Sequence, residues 1–172
     1  RIALTILVAA ALVLPMGLAA VEAKPLPSAV LVYFENSSRQ FKVIDADNKA
    51  VTAKEGMKLG VGWKIQTFKG DIAEVKLSHN KSIIKISPNT TFTVADLGGT
   101  KEKPDVLAVT AGKIRMVAGK ATGSEQYRVQ GGGAVCGVRG TDFIFTVPED
   151  GSDAILHVLE GLVDFWKNND PG

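Results

Sequence analysis

From Phe41 onward the chain is broken every few residues by Gly, Pro, Asn or Asp, and the runs between the breaks are four to seven residues long. They are rich in β-branched and aromatic side chains, from "FKVID", "WKIQTF" and "DIAEVKL" to "DFIFTV", "AILHVL" and "LVDFW". Runs of that length suit strands, and no window after residue 24 repeats its apolar residues at the 3.6-residue period of a packed helix. The expectation is an all-β single domain. In "DFIFTV", Phe143, Phe145 and Val147 fall on one face and Ile144 and Thr146 on the other, both largely apolar, which predicts a central strand. "KGDIAEV", "AGKIRMV" and "EGLVDFW" each set a glycine shortly before a strand. Gly70, Gly112 and Gly161 lie 42 and 49 residues apart, a recurrence that suggests a solenoid-like or roll-like stack of short strands.

The chain opens differently. "RIALTILVAAALVLPMGLAAVEA" has one basic residue, an apolar stretch, Pro15 and Gly17, and a small-residue ending at Val21-Glu22-Ala23. That is the layout of a secretory signal peptide over residues 1–23, and the rest would then be exported to the periplasm or cell envelope. Ile2 to Val21 is also long enough for an uncleaved anchor, the one route by which this chain would meet a membrane. Pro15 and the small-residue ending favour cleavage. Cleavage leaves 149 residues, one domain's worth. Residues 24–40, beginning "KPLPSAV", read as a linker and lead-in, residues 41–166 as the β domain, and 167–172 as a tail.

The composition excludes several classes of function. Without Arg1 and Glu22 the chain carries 19 basic and 17 acidic residues, and its lysines are scattered singly, so no nucleic-acid surface is indicated. One cysteine permits no internal disulfide, so stability must come from packing and sheet hydrogen bonds. His79, His157 and Cys136 are too far apart in sequence for metal-ligand spacing, and neither "GKATG" nor "GGGAVCG" has the context of a phosphate or dinucleotide loop. No cofactor is called for. Cys136 reads as a small buried hydrophobe, His79 as a turn residue and His157 as a side chain on the wetter face of its strand. No enzyme is expected.

The segment "GGGAVCGVRGTDFIF" concentrates glycines, the cysteine and Arg139 between two strands. A guanidinium presents five donors in a fixed fork, so Arg139 can tie together the carbonyls of neighbouring turns. Gly137 and Gly140 give the backbone room there, and Thr141 and Asp142 can bond locally. The expectation is a structural clasp, with Cys136 and Phe143 in the core.

These residues resemble the FecR domain. "AVCGVRGTDFIFTV", followed by a turn and "AILHVLEGLVDF", is similar to its signature end, with the core Gly137, Val138, Arg139, Gly140, Thr141 and Phe143. "GWKIQTFKGDIAEVKLSHNKSIIKISPNTTFTV" and "LAVTAGKIRMVAGK" resemble its upstream segments in the right order. The resemblance runs from about Phe41 to Trp166 and implies a β-rich, solenoid-like exported domain without catalytic activity. The best-known members are inner-membrane regulators that relay a signal from outer-membrane iron-siderophore receptors to a cytoplasmic sigma factor. They carry a sigma-binding region before a transmembrane helix. Only one residue precedes the apolar stretch here, so anti-sigma activity is not carried over. What the resemblance implies is a free-standing module with an envelope protein as partner. The alternative is a binder of cell-wall glycan, for which Trp63 and Tyr127 would have to be exposed together as surface contacts.

Overall fold

The computed structural model describes residues 28–78, 81–98, 103–119 and 127–168. The segment that carries the export reading, and His79, lie outside them. The described residues form 14 strands and no helix, so the all-β expectation holds.

One strand organises the rest. β9 (Asp105–Val117) is 13 residues long and changes neighbours half-way along. Its first half pairs with β8 (Thr90–Asp96) on one side and β10 (Tyr127–Gly131) on the other. Its second half pairs with β7 (Ile83–Ile86) and β12 (Asp142–Val147). Gly112, at φ +96°, sits at the change. A Cβ there would lie inside 3.0 Å of Thr90 Oγ1, the Asn89 carbonyl oxygen and Thr90 Cα, so only glycine lets the strand pass.

Two arms grow from this pivot. In the first, β7 is followed by β6 (Ile72–Leu77), β1 (Ala29–Glu35) and β4 (Met57–Leu59), while β12 is followed by β13 (Ile155–Glu160). In the second, β8 is followed by β5 (Lys64–Thr67), β2 (Lys42–Ile44) and β3 (Ala50–Val51). Beyond β10 that arm continues through β11 (Ala134–Val138) to β14 (Val163–Lys167). The whole is one curled sheet, a half-barrel. Among the described residues only β9 and β10 pair in parallel, whereas stacked solenoid coils pair in parallel throughout. The recurring glycines mark something else: Gly70, Gly112 and Gly161, all at positive φ, each stand where the chain crosses from one arm to the other.

Alternation puts one face of each arm inward. Leu31, Val75, Ile84, Ile114, Met116, Phe143 and Phe145 of the first arm join Ile65, Phe92, Leu107, Val129 and Cys136 of the second in one buried cluster. β12 lies between β9 and β13 and buries Phe143, Phe145 and Val147, as its pattern requires. Ala29–Glu35, assigned by sequence to the lead-in, is instead a strand held between β4 and β6, with Ala29 and Leu31 fully buried.

The crossings are fastened by buried hydroxyls and one carboxylate. Thr67 Oγ1 donates to the Ser87 carbonyl (2.7 Å) and accepts from the Thr90 N–H (2.9 Å). Thr90 Oγ1 accepts from the Lys113 N–H at 3.0 Å, beside the pivot. Asp71, fully buried, accepts from the Ser38 N–H, the Ser38 hydroxyl and the Phe68 N–H at 2.8, 2.6 and 2.9 Å. A buried polar group needs such partners, and here the need is met where the arms join.

Candidate binding surface

The motif that stood out in the sequence is one of these crossings. Val138 ends β11 in the second arm, Arg139 and Gly140 bend the chain, and Asp142 begins β12 in the first. Gly140 has φ +65°, which supplies the turn. Arg139 is exposed at the bend. The buried Thr141 supplies bonds that fasten the crossing. Its hydroxyl donates to the Leu162 carbonyl at 2.9 Å, with the Arg139 carbonyl at 3.3 Å, and its own carbonyl accepts from the Ala118 N–H at 2.9 Å.

Leu162 belongs to the return crossing, where Gly161-Leu162 carries the chain from β13 back to β14. Gly161 packs on Thr141, and a Cβ at Gly161 would stand 3.1 Å from Thr141 Oγ1. Thr141 therefore locks the two crossings together and fixes where β13 ends and β14 begins. Sequence reasoning weighted Arg139 because a guanidinium has more donors. The available signal for Thr141 was its place beside the bend, where a short hydroxyl reaches the facing backbone.

Next to Thr141, Asp142 accepts a two-pronged bond from Arg115 on β9, at 2.9 Å from Nε and 2.6 Å from Nη2. The hydrogen bond and charge of Arg115 hold the Asp142 carboxyl below its ordinary value. Cys136 faces inward on β11, fully buried, and its Sγ donates to the Val129 carbonyl at 3.4 Å. Burial pushes its thiol up to about 12, which favours the protonated form at neutral pH. His157 lies on the outward face of β13, opposite Ile144, and the structure does not bring it to Cys136.

The two proposed surface aromatics do not form a platform. Tyr127 is 1% exposed, because β10 is covered on both sides by β9 and β11 and the ring faces the core. Trp63 is half-buried against the same core. An aromatic that does reach solvent is Trp166, on β14. By register it is outward and opposite Val135, and its ring reaches over Gly137, whose Cβ, if present, would stand 3.2 Å from Cη2 and Cζ3. Val135, also outward, is only 6% exposed beside it. A groove of about 440 Å³ runs along this ring, lined by Arg128, Arg139, Leu162, Asp164 and Trp166.

Trp166 is part of a larger feature. Ile155, Val158, Leu159, Leu162, Phe165 and Trp166 are all substantially exposed, and all belong to β13, β14 and the crossing between them. Val158 lies opposite Phe143 and Phe165 opposite Cys136, so both stand on the core-facing side of their arms. They remain 44% and 47% exposed because, among the described residues, β13 pairs only with β12, and β14 only with β11. The core thus runs out to two open sheet edges, held in place by Thr141.

A family model described as FecR protein matches residues 64–164, from β5 to β14, more than half of the chain. The chain belongs to the FecR family. No curated protein and no solved structure matches it. The matched segment of the FecR domain contains the pivot, the Thr141 crossing and most of the open edges. β1 to β4 lie before it but are built into the same sheet. Membership places the domain among regulatory, signalling-related modules of the cell envelope.

Proposed function

We propose that this FecR domain is a non-enzymatic, exported module that binds a protein partner in the bacterial envelope and serves regulation, trans-envelope signalling being the class of process. The observation that carries this reading is the gathering of six large exposed apolar side chains at the β13 and β14 edges. Large apolar side chains left exposed at sheet edges suit an interaction site, and open sheet edges offer backbone donors and acceptors to a partner. The protonated, buried state of Cys136 supports a binding role over thiol chemistry.

The test places a photo-crosslinking residue at Leu159 or Trp166 and recovers adducts from native envelopes. A receptor or membrane regulator captured from both positions, and not from a crosslinker at Lys42 on the remote β2, supports the reading. Recovery of wall polymer alone overturns it in favour of glycan binding, with Trp166 rather than Trp63 and Tyr127 as the platform.

A further inference from the structure

A sheet with open edges risks pairing with other chains, and edges are ordinarily guarded by brevity or by charge. Among the described residues four strands end an arm. β3 has two residues, and β4 has three with Lys58 at its centre. β14 carries Asp164 and Lys167 among its five residues. β13 is different: in "ILHVLE" no Asp, Glu, Lys or Arg precedes Glu160, and Ile155, Val158 and Leu159 are 46%, 44% and 53% exposed. It is the longest of the four edges and the least guarded.

The charges sit at its two ends. Glu149, Asp150 and Asp153 lead into β13 and Glu160 closes it. Two cations of β9 lie across β12 from this edge: Arg115, which is taken up by Asp142, the register partner of Glu160, and Lys113, level with Ile155 and two strands away from the free edge. An added strand therefore meets apolar side chains along its length and negative charge at both ends.

We propose that the free edge of β13 accepts an extended segment of another protein as an added strand, and that this segment alternates apolar residues between two flanking Lys or Arg residues. Asp153 and Glu160 are seven positions apart, so the two cations would stand roughly 23 Å apart on an extended chain. Either strand direction brings a cation to each acidic end. A second copy of this chain fits poorly. Antiparallel self-pairing centred on His157 would set Glu160 opposite Ala154 of the copy and beside its Asp153, repeating a like-charge contact at both ends. The inference rests on the protein-binding reading and names its partner chemistry.

The probe is a synthetic peptide of alternating Val and Thr between lysines seven positions apart, titrated into the full chain and followed by fluorescence anisotropy and amide hydrogen exchange. Binding should protect amides of β13 and leave those of β14 unchanged. Methylating the peptide backbone nitrogens on its pairing edge should weaken it on the order of tenfold. Exchanging its lysines for glutamates should weaken it about fivefold, an effect that high salt removes. The double variant D153K/E160K should reverse that preference, which a purely structural role for these residues would not do.

Equal binding of the methylated peptide, protection away from β13, or a dimer that protects β13 without peptide would each overturn the inference. Absence of peptide binding also overturns it. If envelope crosslinking at Trp166 still captures a regulator, the protein-binding reading stands without the added strand. If both experiments are empty, both readings fail.

Discussion

Thr141→Val tests whether the crossing motif is held by its hydroxyl. Valine keeps the β-branched shape and the packing volume but removes the single donor that Thr141 directs at the Leu162 carbonyl, 2.9 Å away. The side chain is 1% exposed, so water cannot replace the donor from the Thr141 side. The carbonyl is less enclosed, since the Leu162 side chain is 87% exposed, and hydration there offsets part of the loss. The expected cost is about 1–2 kcal/mol, the lower part of the range for a deserted acceptor. For a domain of this size that lowers the melting temperature by about 3–6 °C. Thr141→Ser retains the bond and loses a buried methyl, worth about 0.8 kcal/mol. Circular-dichroism melts of the three proteins give the order wild type, then serine, then valine. Arg139→Ala, at an exposed side chain, costs less than Thr141→Val. Hydrogen exchange adds location: in Thr141→Val the amides around Val163 should lose protection before those of β12. A valine variant that melts with wild type, or loosens the whole sheet evenly, would refute the idea that Thr141 joins the two crossings.

Gly112→Ala should be far more severe. The new methyl would meet backbone atoms of Asn89 and Thr90 inside 3.0 Å at a φ of +96°, and a loss of more than about 4 kcal/mol is expected, read as failure to recover folded protein. Cys136 in the native chain should resist iodoacetamide at pH 8 and react at the rate of unfolding, because burial raises its thiol to about 12; rapid native labelling would contradict the packing. Its folded value exceeds the ordinary 9.0, so the unfolded chain ionises first and stability falls as pH rises between the two. Asp142 shifts the other way. Arg115 lowers its carboxyl below the ordinary 3.8, so the pair stabilises the fold above that value and the contribution is lost as pH falls through the lowered one. Asp142→Asn should flatten the acid limb of the stability profile slightly, since both side chains reach water, and urea midpoints at pH 3 and pH 6 measure it.

Much of this domain was legible because period-two alternation records which face of a strand is inward. Phe143 and Phe145 were assignable on that ground, and Cys136 because an unpaired cysteine packs as a small hydrophobe. So were the breaks, since Gly, Asn and Asp declare turns through their backbone preferences. The pattern does not record neighbours. "IIKI" and "ILHVLE" look alike as text, yet Ile84 and Ile86 are buried while β13 is mostly exposed, because β7 lies between β6 and β9 and β13 ends its arm. Tyr127 was taken for a surface aromatic and is enclosed for the same reason in reverse. By itself the sequence determined strand content, facing and the glycine-marked breaks, which depend on side chains close along the chain. The tertiary structure alone decided that the breaks at Gly70, Gly112 and Gly161 are crossings between arms, that Thr141 ties two crossings, and that β13 is left open. Those are outcomes of long-range pairing, in which strands far apart in sequence compete for one another's backbone groups and no local pattern names the winner.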